Sequence, residues 1–261
     1  MQSIMEKIQP KAIQEIILEA SRLFADRHAA EHRKTKGVAD YVTDVDFAVQ
    51  SFIQEQLRQL YPEIQFMGEE KDNEEIDLEA PLWVLDPVDG TTNLIHDYRA
   101  SAISLALLEH GEPVLGIIYN PYLQEMYLAQ KGMGSFCNGE QIHVSDAVTM
   151  KESLIVIGTS PYEKHMAKEL FPIFQKIFEK SQDIRRSGSA AIDLAYVAAG
   201  RVEGFFEKNL KLWDYAAGML LVKEAGGKAF DWSGNPLTAK RVSGVVAGNA
   251  SIAELLAKEL L

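Results

Sequence analysis

Residues 81–97 read Pro81-Leu82-Trp83-Val84-Leu85-Asp86-Pro87-Val88-Asp89-Gly90-Thr91-Thr92-Asn93-Leu94-Ile95-His96-Asp97, and their order decides what kind of fold can contain them. Leu82-Trp83-Val84-Leu85 is an apolar run of the kind found at the end of a buried strand. That strand then delivers two carboxylates, a glycine and two hydroxyls within a few residues. Pro87 fixes its own φ and biases Asp86 towards an extended conformation, while Gly90 permits a close turn with its N–H exposed. Asp86 and Asp89 can therefore converge on one point.

Upstream of this stretch, residues 64–67 form a short strand, and Gly68-Glu69-Glu70 follows it, so Glu69 is a third acid just past a strand end. The acidic segment 71–79 has the composition of a solvated loop. Further upstream, Val45, Val49, Phe52, Ile53, Leu57 and Leu60 recur with a helical period, and Thr43 or Asp44 is a natural N-cap. Asp46 falls in the first turn, where capping and the helix dipole would by themselves account for it. Residues 29–37 are polar and basic, which predicts a mobile loop. The apolar positions between Ile4 and Phe24 predict a helix started or kinked at Pro10.

Downstream, residues 103–108, 114–119 and 125–129 form an antiparallel meander with hairpin-type connections, which argues against a purely doubly wound parallel sheet. His96, His110 and His143 lack partners spaced for metal binding. A second buried strand covers 153–158, and residues 162–179 are helical, with Phe171, Phe174 and Phe178 predicted in the core. Arg185-Arg186-Ser187-Gly188-Ser189-Ala190-Ala191 opens another helix with a turn able to offer backbone N–H groups to an anion. Residues 202–207 are strand-like, Asp214 begins a helix stopped at Gly226-Gly227, and strands at 228–232 and 242–247 precede a final helix over 251–261. With no internal linker, residues 1–261 are expected to form one mixed α/β domain, with lobes of about 1–145 and 146–261.

Composition narrows the function classes. The formal charge of 26 − 38 = −12 opposes attraction to nucleic acid and anionic lipid. The single Cys137 cannot form an intrachain disulfide, and no signal-peptide core is seen at residues 1–11, which predicts a cytoplasmic setting. Apolar runs fall short of the roughly 18 residues needed to cross a bilayer, so no membrane partner is expected.

Four acids meeting at one point, Glu69, Asp86, Asp89 and Asp214, would repel strongly unless protonated or neutralised by cations. Oxygen-only ligands select hard cations such as Mg²⁺ or Ca²⁺ over zinc or copper. The alternating oxygen ligands of an EF-hand are missing after Asp86, where Pro87 and Val88 follow. Mg²⁺ usually keeps waters and binds phosphate oxygens, and two ions roughly 3.5–4 Å apart can serve hydrolysis of a phosphoryl group. Gly90 and Thr91 could bind the phosphate through their N–H groups while the Thr91 hydroxyl orients water.

The sequence resembles the inositol monophosphatase family of Mg²⁺-dependent, lithium-sensitive phosphatases. Residues 86–93 match its D-P-[IVL]-D-G-[ST]-x-[NS] signature, Gly68-Glu69-Glu70 its G-E-E, and Trp213-Asp214-Tyr215-Ala216-Ala217-Gly218 its W-D-x-A-A-G. The resemblance implies a layered αβαβα sandwich, a homodimer, and two or three Mg²⁺ ions per site. It implies that Glu69, Asp86, the Val88 carbonyl, Asp89 and Asp214 bind metal, and that Thr91, oriented by Asp46, positions the attacking water together with Glu69. Asp89, Gly90, Thr91 and Asp214 would also face the substrate. Gly188, Ser189, Ala190, Glu207 and Arg185 would face its alcohol part, and Lys36 would lie on a loop approaching the metals. The implied substrate is a small phosphorylated alcohol, myo-inositol 1-phosphate first, with NADP or fructose 1,6-bisphosphate as alternatives on the same core. A regulatory, protein-binding role on a phosphatase fold is the alternative of another class.

Overall fold

The computed structural model describes residues 4–37 and 40–260. Helix α1 (Pro10–Ser21) begins at Pro10, where a missing N–H costs nothing, and buries Ile13, Ile16, Ile17 and Ala20. After α2 (Arg27–Glu31), the strands β1 (Arg33–Gly37) and β2 (Asp40–Thr43) pair antiparallel. The loop expected at 29–37 is thus the end of a helix and a paired strand. Every β1 residue is exposed, so no apolar alternation marked it. Helix α3 (Asp44–Leu60) follows, with Asp46 buried in its first turn.

A seven-stranded sheet comprises β3 (Gln65–Gly68), β4 (Leu82–Asp89), β5 (Ala102–Glu109), β6 (Glu112–Asn120), β7 (Glu125–Gln130), β8 (Gly134–Cys137) and β9 (Glu140–Ile142), in that order. Only β3 and β4 pair in parallel; the remainder is the expected meander. The short helix α4 (Thr91–Ile95) interrupts it directly after β4. The second half supplies β10 (Leu154–Ile157), α5 (Ala167–Lys180), β11 (Asp183–Arg185), α6 (Ala190–Ala198), β12 (Gly204–Lys211), α7 (Leu212–Glu224), β13 (Lys228–Phe230), β14 (Val242–Gly248) and α8 (Ala250–Leu260). Its five strands order as β11-β10-β12-β14-β13 and mix parallel with antiparallel pairs. Leu261, placed by the sequence in the last helix, lies outside the described residues.

Alternation along the strands builds the layers. Trp83, Leu85, Leu105 and Leu107 face α1 and α3, whereas Leu82, Val84, Ala106 and Leu108 face α6 and α7. On the smaller sheet, Phe205, Val245 and Ala247 turn inward to the same two helices, and Phe206 and Val246 turn outward to α5 and α8. The order is helices, sheet, helices, sheet, helices: the αβαβα sandwich. A helix between two sheets must be apolar all round, and α7 buries Leu212, Tyr215, Ala216, Ala217, Leu220, Leu221 and Val222. It presses so closely on β6 that a Cβ at Gly116 would lie 2.8 Å from the Ala217 carbonyl oxygen.

The aromatic stripe of α5 departs from expectation. Phe174 is buried, but Phe171 and Phe178 are 62% and 52% exposed. This outermost helix covers the sheet with Leu170, Phe174 and Ile177, and the other two phenylalanines lie beside that face rather than on it.

Candidate active site

The convergence of Asp86 and Asp89 has a backbone cause. Residues three apart on a regular strand point to opposite faces, but the β4–β5 register runs from Asp86↔Ser104 to Asp89↔Ala102. Three steps on β4 therefore match two on β5, a bulge at Pro87-Val88 that brings both acids to one side. Pro87 suits that position, since it has no N–H to give the ladder. The Asp86 carboxylate accepts the Val88 N–H at 3.0 Å, closing the bulge. Gly90 then takes φ +91°, which turns the chain into α4.

Thr91 is held from two sides. Its hydroxyl lies 2.9 Å from Asp46 Oδ1 and 3.1 Å from the Val88 carbonyl oxygen. Asp46 Oδ2 accepts the Thr43 backbone N–H at 2.8 Å and the Thr43 hydroxyl at 2.5 Å. Asp46 is therefore both a cap of α3 and the partner of Thr91. Burial pushes its carboxyl up, against the bonds from Thr43 and Thr91 that favour the anion.

Glu69 sits beside this turn because its N–H bonds the Leu85 carbonyl at 3.2 Å, continuing the parallel pairing of β3 with β4. Lys36 Nζ, from β1, lies 3.1 Å from Glu69 Oε1 and also bonds Glu70. Asp214 occupies the first turn of α7, where Oδ2 accepts the Lys211 N–H at 2.7 Å. Asp89 Oδ2 accepts the Ser189 hydroxyl at 2.5 Å and the Ala191 N–H at 2.7 Å, linking β4 to α6.

These carboxyl groups share an unfavourable environment. Burial, then the charges of Glu69, Asp89, Asp214 and Asp46, drives Asp86 well above the usual carboxylate range. Asp214 is raised well above it by burial and by Asp89 and Glu69. Burial lifts Glu69 to about 7 although Lys36 pulls it down, and lifts Asp89 to about 6 against its bonds from Ser189 and Ala191. Among the described residues, no three His, Cys, Asp or Glu side chains form a ready-made metal shell. Asp89, Asp214 and Glu69 are each engaged by donors of the protein itself, while the charges of Glu69, Asp89 and Asp214 all act on Asp86. Their oxygen-only chemistry and mutual repulsion fit a hard divalent cation, which would remove the repulsion.

The residues expected at the alcohol side surround the start of α6. Gly188 takes φ +93°, Ser189 caps the helix by accepting the Ile192 N–H at 3.3 Å, and Ala190 is its first residue. Glu207, on β12, is buried and accepts the Ser160 N–H at 2.8 Å; burial raises its carboxyl to about 7. A Cβ at Gly158 would lie 2.0 Å from Glu207 Oε2, so only glycine leaves room for that carboxylate. Arg185 is turned away, exposed, and bonded to Asp183 and the Ile184 carbonyl. The positive charge of Arg186, the next residue, favours the anionic forms of Asp89, Asp193 and Glu207. Two more residues pack here: Asp193, a buried acid in the first turn of α6 with no role expected of it, and Asn93, expected only as the last residue of the signature, whose amide donates to the Ala100 and Ser187 carbonyls. A buried acid in an otherwise apolar helix was the available signal for Asp193.

The model of the inositol monophosphatase family matches residues 1–261. This chain belongs to the inositol monophosphatase family. It is similar to an inositol-1-monophosphatase of Rhizobium meliloti, 39% identical over 223 residues, covering 85% of this chain and 83% of that protein. It is also similar to Nus factor SuhB of Xylella fastidiosa, 37% identical over 233 residues, covering 86% of this chain and 83% of that one. Among solved structures, the IMPase of Thermotoga maritima superimposes with a TM-score of 0.85 at 32% identity, covering 96% of this chain and 95% of that chain. The chain thus carries the phosphatase fold of a family that is generally metal-dependent. None of its described helices is long and apolar enough to cross a membrane.

Proposed function

We propose that the protein is a Mg²⁺-dependent phosphomonoesterase of small alcohol phosphates, with myo-inositol 1-phosphate as its preferred substrate. The observation that carries this reading is the bulge that turns Asp86 and Asp89 to one side, next to a Thr91 hydroxyl fixed by Asp46. Glu69, Asp86, the Val88 carbonyl, Asp89 and Asp214 would hold the cation. When bound, Mg²⁺ supplies charge neutralisation for the phosphate and acidifies water. Thr91 and Glu69 orient the attacking water, and Asp46 keeps the threonine hydroxyl in place. Gly90 and Thr91 bind the phosphate through their backbone. Gly188, Ser189, Ala190 and Glu207 face the alcohol, with Arg186 in the place expected of Arg185.

A panel of inositol 1-phosphate, NADP and fructose 1,6-bisphosphate, each with kcat/KM, tests the assignment. Inositol 1-phosphate is expected to lead it; a higher value for either other ester would reassign the substrate, and release of phosphate in excess EDTA would sink the metal-dependent reading. A homodimer belongs to the same proposal, supported by the exposed Phe171 and Phe178 on α5, and light scattering after size exclusion would test it. The similarity to a protein named Nus factor SuhB supports a second reading, a regulatory role exerted by binding a protein. Restoration of every phenotype of a deletion strain by Asp89→Asn would favour it.

A further inference from the structure

We infer that Asn93 is a positioning residue that locks the alcohol-facing turn at residues 187–189 onto the phosphate-facing turn at Gly90. The inference rests on the phosphatase reading above and deepens it. Asn93 is 6% exposed, and its side-chain nitrogen donates to the Ala100 carbonyl at 2.6 Å and to the Ser187 carbonyl at 3.0 Å. A primary amide carries two N–H bonds, and here one is spent on each side of the junction. The first acceptor is near in the chain; the second is 94 residues away.

Both turns approach this amide at a glycine. A Cβ on Gly90 would lie 3.3 Å from Asn93 Nδ2 and 3.2 Å from the Gly188 carbonyl oxygen. One on Gly188 would lie 3.0 Å from Asn93 Nδ2 and 3.1 Å from its Oδ1. Each glycine also has positive φ, +91° and +93°, so the backbones close on the amide in conformations that other residues resist. The chemistry is specific to asparagine. Aspartate has its shape but offers only acceptors when ionised, and serine has one donor on a shorter stem.

Asp89 ties the same turn to β4 through Ser189 and Ala191, but in the reading above it also holds the cation and faces substrate. Asn93 has no such duty. The phosphate-facing turn has its own supports, Ser101 Oγ donating to the Gly90 carbonyl at 2.8 Å and Asp46 holding Thr91. Loss of the Asn93 amide therefore leaves the phosphate side in place and frees the alcohol side. An ester whose alcohol part carries hydroxyl groups depends on that registry; one without them does not.

The test compares wild type, Asn93→Asp and Asn93→Ser on inositol 1-phosphate and on 4-nitrophenyl phosphate, with saturating Mg²⁺. For the variants, KM for inositol 1-phosphate is expected to rise about tenfold or more, while kcat/KM for 4-nitrophenyl phosphate changes less than about threefold. Should Asn93→Asp not fold, Asn93→Ser carries the same comparison, since its single donor cannot bridge both carbonyls. Equal losses on both esters would reduce Asn93 to a general structural role and overturn the inference, as would no loss on either. A wild-type protein that hydrolyses neither ester would overturn the phosphatase reading first, and this inference with it.

Discussion

Two turns meet in this molecule, and they are built alike. Each places a glycine with φ near +90° at the entry to a helix, Gly90 as the N-cap of α4 and Gly188 one residue before the N-cap of α6. They differ in what they present. The turn after β4 brings carboxylates and a hydroxyl whose positions are fixed by a bulge and by Asp46, whereas the turn before α6 brings mostly backbone, with Arg186 beside it. In the proposed phosphatase, side chains at the first turn would carry the chemistry, and backbone placement at the second would select the alcohol.

The largest effect should come from breaking the first turn. Asp89→Asn is expected to lower kcat for inositol 1-phosphate on the order of 10²-fold or more, because it removes a negative charge from the proposed cation site and weakens its acceptance from Ser189 and Ala191. Thr91→Ala should lower kcat by about 10²-fold with little change in KM, the pattern of a group that acts on the reacting water. A rise in KM alone would make Thr91 a binding residue instead. The second turn should respond differently: Arg186→Ala should raise KM several-fold, and Arg185→Ala should leave both parameters near wild type. The reverse ranking would restore Arg185 to the site.

A smaller effect separates the acids from the backbone turn without any substrate. Glu69 and Asp89 are raised to about 7 and about 6 by burial, so the folded metal-free protein holds protons that the unfolded chain has already released. Their contribution to stability is greatest below the ordinary carboxylate range and is lost as pH rises through about 7. The melting temperature of EDTA-treated protein should therefore rise by several degrees between pH 8 and pH 6. A flat or opposite profile would show that these carboxyls are not strained in the absence of a cation.

How much of this was legible in the chain follows the same division. Apolar runs, Pro87, Gly90 and the spacing of the acids gave the strand end, the turn and the candidate ligands, because all of that is local. The layered order was legible only through the resemblance. The strand Arg33–Gly37 was hidden because it is exposed along its whole length and has no alternation to read. Arg185 was expected at the alcohol side rather than Arg186, a choice that local sequence cannot settle, since a shift of one residue along extended chain reverses the direction of a side chain. Asn93 was read as part of a signature, but its partner at Ser187 is a contact across 94 residues that no local pattern encodes. Phe171 and Phe178 shared helical spacing with Phe174, yet the face that α5 buries is centred elsewhere.

In the proposed phosphatase, the buried acids should admit a phosphate only after a cation has neutralised them. Calorimetric titration of orthophosphate into the protein tests it directly, once in excess EDTA and once with saturating Mg²⁺. Binding should be at least tenfold weaker without the metal, and Asp86→Asn should weaken the metal-dependent binding. Equal affinity for orthophosphate with and without Mg²⁺ would mean that these acids need no cation to accept the anion.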